Sequence, residues 1–165
     1  MQQILRTVSS SMVLISASSL AAREPTEADY KPYLEYLVGE WKVESQGFSG
    51  TITFKMSPTK RCLTSHASID GGPTFHAIEG YDAEKKSWKR LLFWGHGGHA
   101  IAHTKIENPS ANGSVEGLTL KGDVHDVQAG GSSMDSKVVY KVIDKNKWEV
   151  RREEASIFYT RQTKK

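Results

Sequence analysis

The sequence predicts an all-β, antiparallel domain of roughly ten strands behind a short N-terminal helix. The first sign is alternation. Trp148 and Val150 take one face of 147–154 while Lys147, Glu149, Arg151 and Glu153 take the other; Val138, Tyr140 and Val142 alternate with Lys137, Val139 and Lys141 over 136–143. The second is punctuation: Gly47, Ser57-Pro58, Asp70-Gly71-Gly72-Pro73, Gly95 to Gly98, Asn112-Gly113, Gly130-Gly131 and Asp144-Lys145-Asn146 divide the chain into short segments. The third is the lack of a helical period after Gly39. Strands with one wet and one dry face suit antiparallel pairing, and this many without intervening helices require either a sandwich or a closed barrel.

Taken in chain order, residues 1–22 read as an export signal. Arg6 gives a short positive start, Val8 to Leu20 is apolar to neutral, and Ser19-Leu20-Ala21 puts small residues where a signal peptidase cuts. An organelle transit peptide is the alternative for an Arg- and Ser-containing start without acids. The stretch is too short for a membrane span, and no other segment is apolar enough for one. The expected destination is therefore outside the cytoplasm, periplasmic or secreted. Residues 23–31 read as a solvated connector. A single domain then fills 32–165: Pro32 opens a helix in which Tyr33, Leu34 and Leu37 make one stripe, and Gly39 ends it. Strands are predicted at 40–45, 50–56, 61–69, 74–82, 87–94, 99–107, 115–121, 123–128, 136–143, 147–154 and 156–162.

Composition narrows the function. The 165 residues carry 22 Lys and Arg against 19 Asp and Glu, scattered rather than striped, which argues against nucleic acid as a partner. The single cysteine, Cys62, cannot form an internal disulfide, so stability must come from packing. It reads as a small buried apolar residue rather than an activated thiol.

The run Leu37-Val38-Gly39-Glu40-Trp41, a short helix passing into a first strand through Gly-x-Trp, resembles the opening of lipocalins and other calycin barrels. With Ile78-Glu79-Gly80-Tyr81-Asp82 and the tryptophan-bearing strand Trp88 to Trp94, it resembles a family of exported bacterial lipocalin-like proteins. The resemblance implies an up-and-down barrel in which Gly39 permits a close turn, Trp41 caps the closed end, and a late arginine, Arg161 or Arg152, covers the tryptophan. Nitrobindin relatives carry a second glycine pair after the tryptophan; Lys42-Val43-Glu44 stands here instead, which argues against haem.

Candidate ligand contacts are Trp88, Arg90, Trp94, Tyr140 and Arg152. If the face bearing Trp88, Arg90, Leu92 and Trp94 turns inward, Arg90 is a cation between aromatic walls, able to fix an anionic head group in a mostly apolar pocket. If the opposite face is internal, Leu91 and Phe93 are core and Arg90 is solvated. Lys89 favours the first choice, because lysine is rarely buried. Arg152 has a structural alternative, stacked on Trp41 or Trp148. The expected partner is a small, mostly apolar molecule; a filled barrel acting as an interaction domain is another reading, and an outward strip of exposed apolar residues would be its sign.

All six histidines fall between His66 and His125. His96, His99 and His103 are the candidates for a zinc site, His96 and His99 sharing a flexible glycine turn. His99 and His103 lie roughly 13 Å apart along one strand face at about 3.3 Å per residue, too far to share an ion unless the strand bends. Catalytic pairings are disfavoured. Ser65 with His66, and His125 with Asp126, are strand neighbours that point to opposite faces. His76 could act with Glu79 or Asp82 only if the fold joined them.

Overall fold

The computed structural model describes residues 23–107 and 113–162; the export signal expected over 1–22 lies outside the described residues. One helix, Glu27–Leu37 (α1), precedes ten strands: Gly39–Ser45 (β1), Phe48–Met56 (β2), Cys62–Ile69 (β3), Phe75–Asp82 (β4), Ser87–Trp94 (β5), His99–Ile106 (β6), Thr119–Val127 (β7), Ser133–Asp144 (β8), Lys147–Arg152 (β9) and Ala155–Arg161 (β10). Each strand pairs antiparallel with its sequence neighbour, and β1 also pairs with β10 through Trp41–Arg161 and Val43–Tyr159, so the sheet closes into a barrel rather than a sandwich. Closure leaves no unpaired edge.

Most strand ends move by one to three residues, and two departures from the sequence reading are larger. The segments expected at 115–121 and 123–128 form one strand, β7, beginning at Thr119. Gly122 sits inside it because β6 passes too close for any side chain: a Cβ there would lie 1.8 Å from the backbone oxygen of His103. The glycine permits close approach and does not end the strand.

The helix starts within the stretch expected to be connector. Asp29, in its first turn, accepts hydrogen bonds from the Thr26 backbone N–H at 2.7 Å and the Thr26 hydroxyl at 2.8 Å, closing the N-terminus as a capping box does. Arg23 hydrogen-bonds the same carboxylate and holds it well below the usual carboxylate range, against the opposing effect of burial. Pro32 therefore lies inside α1 instead of opening it, and the Ala28 carbonyl loses its usual helical donor.

Tyr30, Tyr33, Leu34 and Leu37, spaced i, i+3, i+4 and i+7, give α1 a buried stripe that seals one end of the barrel. Tyr30 stacks on Trp88 (ring centroids 5.7 Å), Tyr33 meets Trp88 edge-on, and Tyr36 packs on Trp41. Beneath them Trp148 stacks on Tyr159 at 3.8 Å and touches Trp41 and Phe54. The Tyr36 hydroxyl donates to the Asp144 carbonyl at 3.0 Å, tying the helix to β8.

The turn from α1 into β1 settles which late arginine covers the tryptophan. Arg161 lies 4.1 Å over the Trp41 ring and donates to the carbonyls of Val38 (2.8 Å) and Tyr36, while Trp41 Nε1 donates to Leu37 O at 2.8 Å. Gly39 has φ +127°, and a Cβ there would meet Arg161 Nη1 at 3.0 Å. Gly39→Ala is therefore expected to cost about 1–3 kcal/mol, through backbone strain and displacement of that arginine. Thermal unfolding followed by circular dichroism checks this, and an unchanged melting temperature would show that the turn does not depend on glycine.

Candidate functional site

The aromatic plug fills only the helix end. Above it the barrel is hollow, with a cavity of about 340 Å³. Two neighbouring inward positions of β6, Ala100 and Ala102, carry small side chains, and the walls around them are Val43, Leu92, Val124, Val138 and Val150. Phe48, Ile69, Pro73 and Ile157, from strand ends and a turn remote from α1, frame the other end. Both the size and the apolar lining suit a small-molecule site.

Four polar side chains interrupt this wall: Arg90, Tyr140, Tyr159 and Arg152. Arg90 is buried, with its Nε 3.7 Å from Glu79 Oε1, and its guanidinium lies 5.7 Å from the centre of the Phe75 ring. Its Nε and Nη2 have no hydrogen-bond acceptor, and Glu79 Oε1 has no donor. Burial alone would lower the affinity of Arg90 for its proton, but Glu79, with Tyr140 and Tyr159, raises it above the usual arginine value. Glu79 lies deeper than the cavity wall, where its Oε2 accepts from Trp88 Nε1 at 3.1 Å. Burial raises both tyrosine hydroxyls, against the influence of Arg90, and pushes Tyr159 up to about 12. Both are therefore neutral near pH 7. Arg152 donates from Nε to Ser136 Oγ at 2.6 Å and from Nη1 to Asp126 Oδ2 at 3.0 Å, while its Nη2 has no acceptor.

Of the residues singled out from sequence, Arg90, Trp94, Tyr140 and Arg152 line the cavity, and Trp88 does not. Trp88 does point inward, but it lies at the helix end, under Tyr30 and Tyr33, as part of the plug. Alternation along a strand gives the face of a residue and says nothing of its depth along the barrel axis. Arg152 bonds Ser136 and Asp126; the cation over Trp41 is Arg161. Tyr159 was missed, as was the burial of Glu79 and Asp126 behind the two arginines of the cavity wall. A signal for Glu79 was present. On β4, Phe75, Ala77 and Tyr81 share its side while Ile78 takes the other, so strict alternation sends a carboxylate in and an isoleucine out.

The histidines lie elsewhere. His66 and His76 pair across β3 and β4 on the outer face, with ring centroids 4.5 Å apart. His99 stands outward beside Phe93, and His96 bonds within its own turn, to the Gly97 carbonyl. His103 is near Ser87, Lys85 and Asp82; burial and then the two lysines Lys85 and Lys89 lower its pKa, against Asp82. His96, His99 and His103 are thus not brought together, and among the described residues no group of three or more His, Cys, Asp or Glu is placed to hold a metal ion. Ser65 is buried while His66 is exposed, and Asp126 is buried while His125 faces outward to Asp135 at 2.7 Å. Cys62 is half-buried, not enclosed.

On the outer face, Ile78 and Phe93 are 54% and 50% exposed, with half-buried Leu91 and Ile101 beside them on adjoining strands. An outward apolar strip therefore exists. No helix among the described residues is long and apolar enough to cross a membrane.

In class, the chain is a ten-stranded antiparallel barrel, closed by a helix at one end and hollow at the other, with the glycine–tryptophan–arginine closure that the calycin resemblance implies. Among solved structures it is similar to EF1p2_mFAP2b bound to DFHBI, at 10% identity over 80% of this chain and 98% of that one, with a TM-score of 0.42. No family model matches the chain, and no curated protein does.

Proposed function

We propose that this barrel, in an exported protein, binds a small, mostly apolar molecule in the cavity above its helix plug. One observation carries the reading: an apolar space of about 340 Å³ has a few polar side chains in its wall, the buried Arg90, Tyr140 and Tyr159 among them. A mostly apolar cavity with a few placed polar groups is the usual make-up of a small-molecule site. A ligand filling the space would gain from burial of its apolar part against the valine and alanine walls, with Arg90 and the Tyr140 and Tyr159 hydroxyls as polar groups in the same wall.

Trp94, half-buried in the cavity wall, supplies the readout. Titration with fatty acids, retinoids and porphyrins should give saturable quenching of tryptophan fluorescence for at least one class. Ala102→Phe, which fills the cavity, should abolish that response while leaving the circular dichroism spectrum of a β-barrel. A flat response throughout the panel from folded protein would count against ligand binding. Equal binding by Ala102→Phe would place the ligand elsewhere.

A further inference from the structure

We propose that the polar end of the ligand is an uncharged hydrogen-bond acceptor, a ketone, ester or amide carbonyl, received by the polar wall around Arg90, and not a carboxylate. The proposal rests on the reading of the cavity as a small-molecule site and specifies what that site selects. Its basis is the balance of charge in the wall. Arg90 is matched by Glu79 at 3.7 Å, with both side chains almost wholly buried. Arg152 is matched by Asp126 at 3.0 Å. Two guanidinium groups line the cavity, and each has its own carboxylate behind it. An anionic ligand would have no unspent positive charge to meet, and would bring an uncompensated charge into a poorly solvated space.

What is left for a ligand is directional: Arg90 and the Tyr140 and Tyr159 hydroxyls are polar groups in one cavity wall. Arg90 Nε and Nη2 and Arg152 Nη2 are donors without acceptors but have almost no accessible surface, so the ligand's oxygen is met by the rest of that wall. The Arg90–Glu79 separation explains how both conditions hold at once: 3.7 Å is close enough to cancel charge but too long for a hydrogen bond. A cationic ligand is disfavoured as well, because it too would bring an uncompensated charge into the cavity, and Glu79 and Asp126, which do not line it, are already paired. The neutral Tyr140 and Tyr159 hydroxyls in the same wall serve an uncharged carbonyl without demanding a counter-ion.

A matched series tests this: octane, methyl octanoate, octanoate and octylammonium, titrated near neutral pH by tryptophan fluorescence. Methyl octanoate should bind about tenfold more tightly than octanoate, and more tightly than octane, with octylammonium weakest. Glu79→Gln, which leaves the Arg90 charge unmatched, should swing the ester-to-acid ratio toward octanoate by about tenfold or more. The double variant Arg90→Met/Glu79→Gln should keep octane binding and lose the advantage of the ester. Octanoate binding as tightly as its ester in the wild type would overturn the proposal, as would an unchanged ratio in Glu79→Gln, and either result leaves the small-molecule reading standing. If no member of the series binds, octane included, the proposal fails, and the broader reading is decided by the panel of fatty acids, retinoids and porphyrins.

Discussion

Between about pH 10 and pH 12 the barrel is expected to lose stability steeply, with tyrosine ionisation and unfolding occurring together. Five of the six tyrosines, Tyr30, Tyr33, Tyr36, Tyr140 and Tyr159, are buried. Burial raises each above the usual tyrosine value, Tyr30 and Tyr159 to about 12. The sign follows from linkage. In this window the unfolded chain releases protons near pH 10 while the folded chain keeps them, so rising pH favours unfolding. The stabilising effect is fully present below about pH 10 and is lost as pH climbs through the folded values. Tyr159 alone accounts for something on the order of 2–3 kcal/mol at about 1.4 kcal/mol per pH unit. Urea midpoints from far-ultraviolet circular dichroism, taken at intervals across this range, should fall continuously, and tyrosinate absorbance should rise with the loss of β signal. Tyr159→Phe should flatten part of that slope. A midpoint constant from pH 10 to pH 12 would mean that the hydroxyls are not enclosed as described.

The same tyrosines mark what could be read from the chain and what could not. Alternation assigned faces well where polar and apolar residues sort cleanly. On β5 it set Trp88, Arg90, Leu92 and Trp94 against Lys89, and on β9 it set Trp148, Val150 and Arg152 together, and those are the inward sets. The helix stripe Tyr33, Leu34 and Leu37 was legible for the same reason, at its own period. Its start was not, because the reading took Pro32 as an opening residue and passed over Thr26 with Asp29 three residues on, the pattern of a capping box with aspartate in place of glutamate. Depth along the axis is set by register and shear between strands, which one strand's pattern does not encode. That is why Trp88 and Trp94, six residues apart on one face, belong to the plug and the cavity respectively. Glu79 and Asp126 escaped because carboxylates are presumed solvated, and their burial depends on arginines supplied by other strands. Where a strand puts glutamate in and isoleucine out, a local rule is being broken, and such breaks concentrate at functional sites.

That break has a measurable stability consequence. Arg90→Met is expected to destabilise the fold by about 3–5 kcal/mol, because it leaves Glu79 buried with only Trp88 Nε1 as a partner. In a domain of this size such a loss lowers the melting temperature by roughly 10 °C or more. Removing the carboxylate charge as well should reverse most of the effect. Arg90→Met/Glu79→Gln keeps an oxygen for Trp88, carries no buried charge, and replaces an ion pair with groups of similar volume, an exchange that is often close to neutral. The cycle of wild type, two single variants and the double variant in urea should therefore show strong coupling, with the double variant more stable than Arg90→Met alone. Additive losses would mean that the two side chains do not neutralise one another, and the charge balance that selects an uncharged ligand would go with them. If the cycle closes as expected, the ion pair contributes little to net stability. Its retention then has to be explained by what it presents to the cavity: a polar wall in which the guanidinium charge is cancelled and the neighbouring tyrosine hydroxyls are neutral.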